Sequence, residues 1–390
     1  MLNKEFVYRF YIVITLLAIA WGATYSMSIQ DGEIANSQSY IYILITLLLL
    51  IGFPVYLQYC FRNFMIENPI KWFSVLFVWM ALVTIISSAS IRSAITYCIL
   101  LSIIPGMSLI CMFTYAAKYG LNSPTYWTII IAFLMVSMKY LYIYIGANEV
   151  NEAHLITSYY SLCLLPLILI LPNRSIRYVS IFIVTASIFL SLKRGGLVAL
   201  VLGLLVYTIC AYIVNNKGIK SFLYVIFTLV LLGVMFFSIA ISDYGGVVER
   251  ILSIQDDEGS GRVEVWDITS RMIQQSEYIS YIFGHGADSV LRNSPIFLSA
   301  HNDFLEAWYD YGLVGFSLYI FALFSSIRYV VKLIHAKSSI APSMAMLLSI
   351  VLVLTMISHV LVYYLMTLVC ISLGLMIGIE SYNRKFNEYL

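Results

Sequence analysis

Residues 301–315 read HNDFLEAWYDYGLVG, a compact polar group closed by Gly312-x-x-Gly315 inside a chain that is mostly apolar. Asn302 or Asp303 suits a helix N-cap, and Asp303-x-x-Glu306 has the spacing of a capping box. His301 then lies just ahead of a helix N-terminus, where the positive dipole end disfavours an imidazolium. A neutral imidazole near its ordinary pKa of about 6.5 accepts protons at neutral pH. Two basic elements offer the complementary chemistry. Lys193-Arg194 precedes Gly195-Gly196, and Gly259-Ser260-Gly261 precedes Arg262 in a segment whose apolar positions include Val263, Trp266 and Met272. Cations at helix starts beside small residues form an anion clamp, with guanidinium donors and free N–H groups matched to phosphate oxygens. Lys193 and Arg194 also fit a lipid-headgroup anchor. His285, in Gly284-His285-Gly286, is a second-rank candidate that reads equally as a turn. Glu306 reads as a cap before a catalytic acid, and Trp266 and Trp308 as packing aromatics before sugar platforms.

The elements that must position these residues are membrane helices. The chain has 390 residues, 61% hydrophobic and 11% charged, against roughly 25% charged in soluble domains. Runs long enough for a bilayer, about 20 residues each, fall at 10–29, 40–58, 72–89, 94–116, 128–146, 157–172, 176–192, 195–214, 221–240, 308–327, 343–358 and 361–379. Only Ser358-His359 divides the last two. The run at 10–29 is too long for a typical signal-peptide core and reads as the first span. With both termini on one side, every segment on that side carries Lys or Arg, whereas 30–39 and 147–156 on the other carry none. The positive-inside rule makes the first side cytoplasmic. More than half of the 20 acidic residues lie between 243 and 310. The expectation is an all-α polytopic protein: one membrane domain over 1–390, about 12 transmembrane helices, and one large outer loop at 242–307.

Several function classes fit poorly. A net charge of +2 implies no nucleic-acid partner. Cys60, Cys98, Cys111, Cys163, Cys210 and Cys370 all sit in or beside apolar runs and form neither a zinc pattern nor a disulfide framework. Oxygen-ligand sets at Asp31-Gly32-Glu33, at Asp256-Asp257-Glu258, or at His301 with Asp303 and Glu306 lack strong spacing, so no metal is expected. No phosphate-binding Gly-Lys-Ser/Thr loop is present, and no cofactor is expected. A transporter or flippase is the rival from another class. Transporters carry internal repeats and ionisable groups at mid-membrane, whereas Lys139 is the only charge well inside a span here.

The order and context of these elements resemble the O-antigen ligase/O-antigen polymerase superfamily. His301-Asn302, followed by Gly312-x-x-Gly315, is similar to its signature. Lys193-Arg194-Gly195-Gly196 is similar to its S-R-G-type turn, although Leu192-Lys193 stands where a small polar residue is usual. Gly261-Arg262 with Trp266 resembles its G-R…W element. The resemblance implies a GT-C-like, metal-independent glycosyltransferase of the bacterial inner membrane, with its active site at the periplasmic face and glycans on undecaprenyl pyrophosphate as substrates. It implies that Arg194 and Arg262 bind the pyrophosphate and that His301 acts on the acceptor hydroxyl; Lys193 and Asn302 are second-rank members of that site. The tyrosine-rich composition and the 300–315 stretch favour the polymerase branch, working with a protein that regulates chain length, over a ligase that uses lipid A core.

Overall fold

A computed structural model describes residues 9, 11–20, 44–50, 68–87, 90–146, 157–191, 193–215, 262–361 and 365–387. Every regular element among them is helical. After helical stretches at 11–20 and 44–50 come α1 (Asn68–Ser87), α2 (Ile91–Cys98), a π turn (Ile99–Ile103), α3 (Ile104–Tyr119), α4 (Ser123–Gly146), α5 (Thr157–Leu169), α6 (Arg174–Leu190) and α7 (Arg194–Asn215). The C-terminal half holds α8 (Arg262–Gln274), α9 (Tyr278–Phe283), α10 (Ser289–Asn293), α11 (Asp303–His335), α12 (Ala341–Ile357) and α13 (Leu365–Asn387).

Six described helical stretches are long and apolar enough to cross a membrane: Pro69–Ser87, Ser93–Tyr119, Ser123–Tyr142, Gly195–Val214, Asp303–His335 and Leu365–Lys385. Tyr11–Ala20, Ser158–Leu169 and Ala341–Ile357 are shorter apolar helices. The expected run 221–240 lies outside the described residues, and 10–29 and 40–58 are described only in part. The division at Ser358-His359 is present: α12 ends at Ile357 and α13 opens at Leu365. Lys139, the one charge expected within a span, is half-buried, with its ammonium 5.5 Å from the Tyr142 ring centre. Cys98, Cys111, Cys163, Cys210 and Cys370 are buried free thiols. Of the 242–307 loop, residues 262–307 are described, and they fold as α8, α9 and α10 with their connections and the first turn of α11.

The helix that organises the site is α11. It packs on α1 and α12 and is broken at Gly312, whose φ of 72° and ψ of −179° are not helical. Only glycine adopts that conformation without strain, and a Cβ there would run into the Ile282 carbonyl. Gly315 faces Trp79 of α1, and the C-terminal end of α9, at Ile282 and Gly284, approaches Gly312. The break turns three carbonyls out of the helix, and each finds a donor. Tyr309 accepts from the His285 N–H (3.2 Å), Asp310 from the Gly286 N–H (2.8 Å), and Tyr311 from Trp79 Nε1 (2.9 Å). Buried carbonyls left without donors are costly, so the kink and the 284–286 loop require one another.

Gly312→Ala is therefore expected to destabilise the protein by at least ~1–3 kcal/mol, the cost of a strained backbone alone. Thermal unfolding of the detergent-solubilised protein checks this. Gly203→Ala, where an added Cβ meets only the Ile350 side chain at 3.0 Å, is expected to shift the midpoint far less.

Candidate functional site

His301 is held by its neighbours in a conformation it would not choose. Its φ is 50°, in the left-handed region that non-glycine residues rarely adopt. The peptide groups ahead of it are tied on both sides: the Ala300 N–H donates to Glu306 Oε1 (2.7 Å), and the Ala300 carbonyl accepts from Trp266 Nε1 (2.8 Å). Behind it, Asn302 is the N-cap of α11, its Oδ1 accepting from the Phe304 and Leu305 N–H groups at 3.0 and 3.4 Å. Asn302 is thus a capping residue. The expected capping box is corrected in one respect. With Asn302 as cap, Glu306 falls one position too far along to reach the cap's own N–H, and it takes the Ala300 amide instead. Trp266 also has a defined job. Its indole links α8, and hence Arg262 one turn earlier, to the residue before His301.

The charges around His301 come from two further helix starts. Arg262 opens α8 and is half-buried. Lys193 precedes α7, with its carbonyl accepting from the Leu197 N–H (3.2 Å). Burial, then the positive charges of Arg262 and Lys193, push the His301 pKa down from its ordinary 6.5 to about 4. The ring is neutral at pH 7, as the helix-end argument expected. The main cause, however, is desolvation, and the imidazole is a weaker base than one left at its ordinary value. Arg194 is the first residue of α7; its side chain lies outside the described residues. The glycines after it sit in close quarters, Gly195 beneath the Ile357 side chain and Gly196 against the Tyr159 ring. The Tyr159 hydroxyl takes the Gly196 N–H, and the Arg262 charge reaches the same phenol. Tyr159 therefore borders the site, unmarked in an apolar helical run of sequence.

The structure also brings in a histidine that sequence reasoning passed over. His359 lies in the turn between α12 and α13, and its ring centre is 4.4 Å from that of His301. Its Nδ1 is 3.5 Å from Glu306 Oε1. That distance would suit an ion pair, yet burial first, then His301 and Arg262, drive the His359 pKa well below the usual imidazole range. The contact is one between a carboxyl group and a neutral ring. Asp303 anchors the turn itself, accepting from the Val360 N–H (2.9 Å) and the Leu361 N–H (3.1 Å). Nothing in local sequence marks a bond spanning 57 residues.

His285 does not join this group. It stacks on Tyr309 at 4.1 Å, with Nδ1 3.0 Å from the Tyr309 carbonyl. It belongs to the kink-supporting loop, where Asp310 accepts from the N–H groups of Asp288, Ser289 and Val290 at 2.9–3.0 Å. Asp288 in turn accepts from the Tyr97 hydroxyl (2.8 Å), and burial raises its carboxyl pKa. These residues brace the structure around the site.

The arrangement places a neutral imidazole beside two fixed cations and borders it with the N-terminal ends of α7, α8 and α11. The positive dipole ends of such helices favour an anion. Among the described residues, no group of three or more His, Cys, Asp or Glu side chains is arranged to hold a metal ion. Residues 179–320 match the model of a protein family described as O-antigen ligase. The matched region contains Lys193, Arg194, Arg262, His301 and both glycines of the closing motif. The match supports the ligase/polymerase superfamily and does not separate its branches. No curated protein sequence matches the chain.

Removing the Asp303 carboxylate strands two buried amides, each worth about 1–3 kcal/mol when unsatisfied. Asp303→Ala is expected to lower the unfolding midpoint and to speed hydrogen exchange at Val360 and Leu361. Asp303→Asn, which retains one acceptor oxygen, is expected to do both to a smaller degree.

Proposed function

We propose that the protein is a membrane glycosyltransferase that moves a glycan from undecaprenyl pyrophosphate to a sugar hydroxyl. The reading favoured is O-antigen polymerisation: the carrier-linked chain passes to an incoming carrier-linked repeat at the periplasmic face, with both termini cytoplasmic and a chain-length regulator as partner. The observation that carries the reading is that Lys193 and Arg262, each from a different part of the chain, lie close enough to a partly buried His301 for their charges to keep it neutral.

The chemistry follows from those charges. As the bond between the anomeric carbon and the pyrophosphate oxygen breaks, its electron pair moves onto the leaving group. Arg262, Lys193 and, from its place at the α7 start, Arg194 stabilise that growing charge. The acceptor hydroxyl oxygen forms the new glycosidic bond and gives its proton to His301. Attack from the face opposite the leaving group inverts the anomeric centre. In the empty site the imidazole is a weak base. A bound pyrophosphate offsets the same two cations that depress it, so the base strengthens only once the donor is in place.

The family match is equally compatible with a second reading, a ligase that delivers the glycan to lipid A core. Competing a synthetic carrier-linked repeat against lipid A core as acceptors separates the two. Movement of carrier-linked glycan across vesicles without a new glycosidic bond would point to a flippase instead.

Two outcomes are expected from in-vitro chain extension. Arg262→Ala loses about 10²–10³ in rate and His301→Ala about 10²–10⁴, with membrane expression intact. A full rate from the His301 variant would sink the base assignment. In the wild type, the acid limb of kcat/KM reports the free enzyme and is expected at about 4. The limb of kcat reports the donor complex, and it is expected at higher pH because donor charge raises the imidazole's basicity. Coincident limbs would contradict the donor-dependent base.

A further inference from the structure

We infer that His359 is a positioning residue for the His301 imidazole, its ring set against that of His301 and its backbone turn anchored by Asp303. The inference rests on the proposal that His301 takes the acceptor proton. The two ring centres are 4.4 Å apart with their planes tilted by 41°, so His359 covers one side of His301 without stacking flat on it. His359 Nδ1 lies 3.5 Å from Glu306 Oε1, the atom that also accepts the Ala300 N–H (2.7 Å). One carboxyl group thus fixes the backbone ahead of His301 and lies beside the ring that packs on it. Three residues earlier on the same helix, Asp303 holds the backbone just after His359 through the Val360 and Leu361 N–H groups. The main chain just after His359 is therefore set by the first turn of α11, which is also where the backbone ahead of His301 is set.

The geometry gives His359 two effects. It restricts the rotation of the His301 ring, and misplacement of a reacting group by about 1 Å can cost ~10²-fold in rate. It also keeps water from one face of His301, which helps keep that imidazole neutral. The charged and titratable groups acting on the pair are Arg262 from α8, Lys193 ahead of α7, and Glu306 from α11. A charged ring at 359 would meet the same cations, so the position favours an uncharged one.

Purified full-length protein carrying His359→Ala, His359→Phe or His359→Gln, compared with wild type and His301→Ala, tests the inference in the chain-extension assay. For His359→Ala, kcat is expected to fall about 10–10²-fold while KM for the donor stays within about twofold, since the cations that bind it are untouched. Water reaching His301 raises its pKa, so the acid limb of kcat/KM is expected to move up from about 4. His359→Phe refills the space and is expected to return the limb towards the wild-type position with only part of kcat. If the alanine variant does not fold, His359→Gln supplies the same two readouts. Wild-type kcat in these variants, or a lower kcat with an unmoved acid limb, overturns the positioning role while inactive His301→Ala leaves the base assignment standing. An active His301→Ala removes both.

Discussion

The site depends on three buried carboxylates at the start of one helix. Asp303, Glu306 and Asp310 are all buried, and each captures backbone N–H groups from a different segment: 360–361, 300, and 288–290. A carboxyl group has several acceptor positions, so one side chain can take more than one amide. Burying such groups is costly unless those bonds are made. The requirement runs both ways: the acids need the loops, and the loops, poor in regular structure, need the acids. The left-handed backbone of His301 is one result, because the residues on either side of it are held from both directions.

Around this scaffold the electrostatics are arranged for an anion and a proton acceptor together. Cations beside an imidazole suppress its protonation, and so does burial, leaving a neutral ring next to a positive cradle. On the proposed function, an anionic donor offsets the part of that suppression that comes from the cations, so the residues that bind the leaving group would also govern when the base becomes effective.

Much of this was legible in the sequence, because a charge in an apolar chain is conspicuous. Lys193, Arg194, Arg262 and His301 stood out as polar exceptions at helix starts, and the structure brings Lys193, Arg262 and His301 together while leaving the Arg194 side chain undescribed. Trp266 and Asn302 were recognised, although what each touches was not. The rest depended on contacts between distant parts of the chain. His359 looked like a turn residue between two apolar runs, since its neighbours His301 and Glu306 lie more than 50 residues away. Tyr159 was one tyrosine among 31. The capping-box pattern was present at Asp303 and Glu306, but an asparagine one residue earlier took the cap and released both acids for longer reach. The Gly312 motif did not show that the helix breaks there, with the end of α9 against the break.

The most direct measurement is a cryo-EM structure of the full chain with undecaprenyl pyrophosphate bound. The account predicts the diphosphate against Arg262 and the start of α7, with the His301 ring facing the open space where an acceptor hydroxyl would lie. A diphosphate bound elsewhere, with Arg262 and His301 contacting no part of the carrier, would contradict it.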